Sequence, residues 1–236
     1  MTHLNDPALV QEQYAVEHNL RARQALYAET TGPDPRAVLW ETIAALAPER
    51  VLEVGGGEGW LAQRIAAELG AETTLVDLSP RMVELARARG VDAHVGDVQA
   101  LPFPDATFDT VVAAWMLYHV PDLDRGLSEI ARVLAPVGRL VANTGSLRHL
   151  EELRALVQYP SEEREWSFNA ENGEEALRRH FAHVERRDVE GTAVVRDRHV
   201  LVAYQRSMSI PTSPVPDDVP LPFVTRTVGA VFVAAK

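Results

Sequence analysis

Val51-Leu52-Glu53-Val54-Gly55-Gly56-Gly57-Glu58-Gly59-Trp60 decides the fold. A short apolar run ends in glycines, and the residues from Trp60 to Leu69 then take helical spacing. Glycines in such a turn allow positive φ and let a ligand approach the backbone closely. A strand, a glycine turn and a helix in this order open a βαβ unit, and ligands of open α/β sheets sit beyond the carboxyl ends of the strands.

The pattern continues downstream. Thr73–Asp77 reads as a strand, Pro80–Arg89 as a helix stopped by Gly90, and Val91–Val95 as a third strand. Thr110–Ala114 reads as a fourth strand, Leu123–Leu134 as a helix and Gly138–Ala142 as a fifth strand. Strands alternating with helices indicate parallel pairing, and the unbroken apolar run Val111-Val112-Ala113-Ala114 fits a strand buried on both faces. Upstream, Leu9, Val10, Tyr14, Leu20, Leu26 and Tyr27 have the spacing of one or two amphipathic helices. These end at Thr31-Gly32-Pro33-Asp34-Pro35, and a helix is predicted over Arg36–Leu46.

In the last third, helices are predicted over Leu147–Val157, Gly173–His180 and Asp197–Arg206, and strands over Val184–Val189 and Val228–Ala234. Ser209–Pro222 holds five prolines and reads as a loop. The expectation is a doubly wound α/β fold with a mostly parallel seven-stranded sheet. A helical cap would cover residues 1–35, and a ligand-binding domain residues 36–236, with an insertion on the substrate side at about 147–222.

Composition narrows the function. With 34 acidic and 23 basic residues, the net charge of −11 repels a phosphate backbone on average. Arg178, Arg179, Arg186 and Arg187 are close enough in sequence for a basic patch, although a solvated face explains them as well. The absence of cysteine excludes disulfides, thiolate metal sites and Cys nucleophiles. No run of 18 apolar residues occurs, and the polar start lacks a secretory pattern, so a cytoplasmic chain without membrane or nucleic-acid partners is expected.

Two features mark the ligand. Dinucleotide turns carry G-x-G-x-x-G, but here Trp60 stands at the third glycine's place, where it would disturb helix–strand packing. Asp77 ends the next predicted strand, where a carboxylate can accept from both hydroxyls of a ribose; its alternative is to cap the helix at Pro80, with Ser79 as rival. In His94-Val95-Gly96-Asp97-Val98, Asp97 could accept from an adenine amino group and the Val98 backbone could serve a ring nitrogen.

LEVGGGEG (52–59), LVDLSPRMVELA (75–86), GDVQALPFPDATFD (96–109) and Ile130-Ala131-Arg132-Val133-Leu134-Ala135-Pro136-Val137-Gly138-Arg139-Leu140 together resemble the class I S-adenosylmethionine (SAM)-dependent methyltransferases. Within that class the chain is similar to the ubiquinone/menaquinone-type (methyltransferase type 11-like) group, over roughly residues 36–145. The resemblance implies a Rossmann-like methyltransferase fold. It implies SAM as cofactor, with S-adenosylhomocysteine (SAH) as product. Glu53 and Gly55 would lie near the methionine amino group, and Gly57 beneath the cofactor. Asp77 would bind the ribose, Leu78 and Met82 would lie against the adenine, and Asp97 and Val98 would hold its edge. Ala114 and Trp115 would face the sulfonium end. Gly56 and Val137 depart from residues common in that group, and both read as neutral.

Methyl transfer from SAM is an in-line displacement in which positioning supplies much of the acceleration. The missing cysteines exclude C5-pyrimidine and arsenic methylation. Ala114-Trp115-Met116-Leu117-Tyr118 replaces the Asn/Asp-Pro-Pro-aromatic stretch of base amino-methyltransferases, and Trp115 cannot hold the magnesium of catechol-type enzymes. No metal is therefore expected. His119 and His149 are candidate bases, each with a purely structural alternative. Tyr14 could close over SAM or substrate, and Trp166 and Phe168 could line the acceptor pocket; ordinary packing is the alternative for all three. The reading is a SAM-dependent transferase acting on O or N of a small-molecule acceptor. The rivals are a nicotinamide-dependent oxidoreductase and a non-catalytic SAM-binding protein.

Overall fold

The first strand of the ligand-binding unit is buried from Val51 to Val54, which requires helices on both of its faces. The computed structural model, which describes residues 5, 6, 8, 10, 17–160, 166–208 and 210–236, supplies them. In chain order its helices are α1 (Glu17–Ala25), α2 (Pro35–Ala45), α3 (Trp60–Leu69), α4 (Pro80–Ala88), α5 (Leu123–Val133), α6 (Glu151–Leu156), α7 (Gly173–Arg178) and α8 (Arg198–Arg206). The strands are β1 (Thr30–Thr31), β2 (Arg50–Val54), β3 (Glu72–Asp77), β4 (Asp92–Val95), β5 (Phe108–Ala114), β6 (Leu134–Gly145), β7 (His183–Val195) and β8 (Phe223–Ala235).

They form one sheet in the order β1-β7-β8-β6-β5-β2-β3-β4. The β6-β5-β2-β3-β4 run is parallel, and β8 joins it antiparallel through β6. The chain winds outward in both directions from the β2/β5 pair, so a crevice opens beyond the carboxyl ends of those two strands. Side chains alternate as a two-faced strand requires. Val111 and Ala113 pack with Leu127, Ile130 and Leu177 on one side, while Val112 packs with Leu39, Ile43 and Ile65 on the other.

The sheet has eight strands, one more than the sequence suggests. The additional β1 is a two-residue edge inside the Thr-Gly-Pro break, held by Thr30 and Thr31 opposite Ala193 and Thr192 of β7. The 147–222 span is also not all insertion, because β7 pairs with β8 along thirteen residues from His183 to Val195. α7 packs into the main core through Ala176 and Leu177, while other parts gather with the N-terminal segment: Leu26, Leu150, Leu153, Leu201, Val215 and Val219 share one apolar cluster. α1, α6, α8 and the proline-rich loop thus form one layer above the carboxyl edge. Among the described residues no helix is long and apolar enough to cross a membrane.

Candidate functional site

Under that layer lies a cavity of about 1020 Å³, lined on its floor by the glycine turn and the ends of β3 and β5. The turn is built for close approach. Gly57 has φ +56°, and a Cβ there would meet nothing within 4 Å, so its open side faces free space. Its N–H donates to Asp77 Oδ2 at 2.9 Å, while Asp77 Oδ1 accepts from Ser79 N–H at 2.8 Å. Ser79, not Asp77, caps α4 by accepting from Met82 N–H. Asp77 thus stands at the cavity wall, pinned by two backbone donors. Burial pushes its carboxyl above the usual range against those donors' opposing effect.

Glu53 reaches the same floor from β2 and is 2% exposed. It accepts from the Ala62 N–H, but Oε2 is buried with no hydrogen-bond partner. Burial first, and then the neighbouring Asp77, raises its carboxyl from the ordinary 4.5 to about 8. An unpartnered buried carboxylate oxygen beside a cleft suits a cationic group brought by a ligand.

Gly56 is not neutral, contrary to expectation. A Cβ there would lie 2.5 Å from Leu75 Cδ1 and 2.7 Å from Glu53 Cδ, so the missing side chain is what leaves Glu53 its place. Gly55 likewise sits under Met116, whose Cβ would be 2.8 Å from an added methyl group. Val137 is 80% exposed on the surface. Trp60 does not disturb the packing, contrary to expectation: it is 57% exposed with Arg89 stacked 3.6 Å over its ring, and the close approach belongs to Gly59, where a Cβ would meet Ala86 Cβ of α4 at 2.9 Å.

Leu78, Asp97, Val98, Ala114 and Trp115 all line the cavity, as does His119. Asp97 is already engaged by Gln99, whose N–H and side-chain amide both donate to it at 2.9 Å. Met82, expected against the adenine, is fully buried and absent from the lining. Trp115 has φ +52°, a left-handed conformation costing a non-glycine residue about 1 kcal/mol or more. The buried Asn143 side chain holds it there by accepting from Trp115 N–H at 3.0 Å. Tyr14 lies outside the described residues.

The roof and far wall are aromatic. Tyr118 lies 4.5 Å from His119 and 5.3 Å from Trp166, measured between ring centroids, and all three line the cavity. Phe168, by contrast, is fully buried against Phe232 at 5.8 Å and belongs to the core, not to the pocket. Beside Trp166, over Gly145, stands His149, with Tyr27 next to it, the Tyr27 and His149 rings stacked at 25° and 6.1 Å. His149 is not placed as a free base. Nε2 is within 2.8 Å of Tyr27 Oη, Nδ1 within 3.1 Å of the Val228 N–H nitrogen, and burial with Arg154 nearby drives its pKa down to about 3.

Tyr27, in sequence only an apolar helical position, and Arg154, unmarked there, also line the cavity. The signal for Arg154 is a charged residue beside the apolar stripe Leu150, Leu153 and Val157. Arg154 is nearly buried, donates to the Leu147 carbonyl at 3.0 Å and lies 4.9 Å over the Trp166 ring. The suspected basic patch does not form: Arg178 pairs with Glu174, Arg179 with Asp124 and Arg186 with Asp188.

Residues 52–142 match a methyltransferase domain family. The chain is 41% identical over 102 residues to a demethylmenaquinone methyltransferase of Thermus thermophilus, covering 40% of this chain and 46% of that protein. It is also 41% identical over 106 residues to a ubiquinone biosynthesis O-methyltransferase of Xanthomonas oryzae pv. oryzae, covering 42% and 44%. The matches span less than half the length of these relatives. Among solved structures, the YcgJ protein from Bacillus subtilis has a TM-score of 0.62 at 18% identity, over 85% of this chain and 98% of that one. The [4+2]-cyclase SpnF has a TM-score of 0.62 at 24% identity, over 97% and 96%. At these identities the two structures establish the shared fold alone.

Proposed function

We propose that this chain, which carries a class I methyltransferase domain of the ubiquinone/menaquinone type over residues 52–142, transfers a methyl group from SAM to an oxygen or nitrogen of a small organic acceptor. One observation carries the proposal. A single cavity of about 1020 Å³ joins the glycine turn and Asp77 on one side to an aromatic wall on the other. That volume is at the top of the usual range for small-molecule sites, so a cofactor and an acceptor can lie in it together.

The cofactor supplies an electrophilic methyl on a positively charged sulfur. Everything else is alignment by the chain's own residues. Asp77, oriented by the Gly57 and Ser79 N–H groups, accepts from the ribose hydroxyls. The unpartnered Glu53 oxygen takes the cationic amino group, with Gly55 and Gly56 leaving the space it needs. Leu78 covers the adenine, and Asp97 and Val98 meet its edge once Gln99 yields. Ala114 and Trp115 border the sulfonium end. His119, beside Tyr118, is the group on the acceptor side that can take a proton from a hydroxyl. Residues 36–236 form the functional unit in this reading, closed by the N-terminal helical layer.

The test is transfer of a labelled methyl group from SAM to aromatic hydroxyls, amines and bulk RNA. Label in one or more small molecules and none in RNA is expected. Label in RNA alone overturns the acceptor class. Tight SAM binding without transfer to any acceptor leaves a binding protein or, as the SpnF likeness in fold illustrates, a different chemistry on the same scaffold.

A further inference from the structure

At the end of β6, the ladder with β8 is completed by a side chain. Ser146 N–H donates to the Val228 carbonyl at 2.8 Å, but the Ser146 carbonyl turns away and accepts from His149 N–H at 2.9 Å. A strand residue points its N–H and its C=O to the same edge. Val228 therefore directs its N–H toward β6, and the acceptor it meets there among the described residues is His149 Nδ1, at 3.1 Å. An imidazole nitrogen has taken the place of the missing carbonyl. The Val228 oxygen is also 3.1 Å from Nδ1, but it already receives the Ser146 N–H, whereas the Val228 N–H would otherwise be left unpaired.

With Nδ1 accepting from the Val228 N–H, the proton of the neutral ring would sit on Nε2, which faces Tyr27 Oη at 2.8 Å. Burial keeps His149 uncharged and raises the Tyr27 phenol well above 10, so both stay neutral. In that tautomer Tyr27 accepts from His149 and retains its own proton. Among the described residues its hydroxyl makes no other hydrogen bond. Tyr27 lines the cavity on the side where Trp166 and His149 lie over bare Gly145. A Cβ at Gly145 would sit 3.1 Å from Trp166 and 3.4 Å from His149.

We propose that Tyr27 is a positioning and specificity residue for the methyl acceptor: its hydroxyl, oriented by His149 Nε2–H, donates to a carbonyl or ionised hydroxyl oxygen of that molecule. The class selected is a planar, oxygen-bearing acceptor lying against the aromatic wall. An ammonium acceptor brings no lone pair for the Tyr27 proton and leaves it unsatisfied on binding. This rests on the methyltransferase reading above.

The test titrates the full chain, saturated with SAH, against 4-nitrocatechol and 2-phenylethylamine. Both are single aromatic rings of similar size, one with an acidic hydroxyl and one with an ammonium group and no oxygen. Ionisation of the first is read from its visible absorption. Wild type is expected to bind 4-nitrocatechol at least about tenfold more tightly than 2-phenylethylamine, and to lower the pH at which the bound hydroxyl ionises. Tyr27→Phe is expected to lose about tenfold in 4-nitrocatechol affinity and most of the ionisation shift, with SAH affinity unchanged as the control for folding. Equal binding by wild type and Tyr27→Phe, an unshifted ionisation, preference for 2-phenylethylamine, or no binding of 4-nitrocatechol overturns the proposal. Failure of wild type to bind SAH would instead overturn the cofactor reading.

Discussion

Replacing Glu53 by Gln tests the electrostatic core of the site. The Glu53 carboxyl is raised from 4.5 to about 8 because β2 carries it into the protein interior beside Asp77 with one oxygen unpartnered. The folded chain therefore favours the protonated acid. The stability contributed by this group is fully present below pH 4.5 and is lost as pH rises through 8. At about 1.4 kcal/mol per pH unit, the loss between pH 5 and 7 is about 2 kcal/mol, and it reaches an upper bound of about 5 kcal/mol above pH 8. Denaturant unfolding of wild type and Glu53→Gln across this range is the assay. The gap between their stabilities is expected to shift by about 2 kcal/mol in favour of the variant between pH 5 and 7. In the proposed complex, the cofactor's amino group would draw Glu53 into its charged form. SAH binding to wild type below pH 8 should then release a proton, measurable as a dependence of the calorimetric heat on the buffer's ionisation enthalpy, and Glu53→Gln should not release it. Parallel pH profiles for the two proteins, or no proton release by wild type, would refute the reasoning.

Gly56→Ala inserts a methyl group 2.5 Å from Leu75 and 2.7 Å from the Glu53 carboxyl carbon. A stability loss of about 1–3 kcal/mol is expected from overpacking, together with weaker SAH binding as Glu53 is displaced; unfolding and calorimetry check the two effects separately. Asn143→Ala removes the shorter of the two acceptors of the Trp115 N–H and leaves the Asn143 backbone carbonyl at 3.3 Å. It should lower the unfolding free energy by about 1–2 kcal/mol, read as a lower denaturant midpoint with unchanged slope.

The parallel half of the sheet was legible because its signals are local. Val51–Val54, Thr73–Asp77 and Thr110–Ala114 are apolar runs punctuated by glycine or proline. Their helices begin at residues such as Ser79 and Asp122, whose side chains cap the first turn. β1 escaped notice because two threonines gain strand character only from pairing with β7, some 160 residues away. The far halves of β7 and β8 were read short for a similar reason: Glu190, Thr192, Thr225 and Thr227 carry no apolar alternation. At the site, Asp77 and Glu53 were legible from the glycine turn between them. The aromatic wall was not, because Tyr27, Tyr118, His149 and Trp166 come from four separate segments. His149 in particular reads as a base in sequence, and only its neighbours Val228 and Tyr27 reveal that both ring nitrogens are engaged.

Calorimetric titration of wild type and Asp77→Ala with SAM, SAH and NADH addresses the central claim most directly. The account predicts micromolar binding of both adenosyl ligands and none of NADH. It also predicts a loss of about 1–3 kcal/mol of adenosyl-ligand affinity in Asp77→Ala, from removal of the carboxylate that accepts the ribose hydroxyls. A folded wild-type protein that binds neither SAM nor SAH, or that binds NADH in their place, would contradict it.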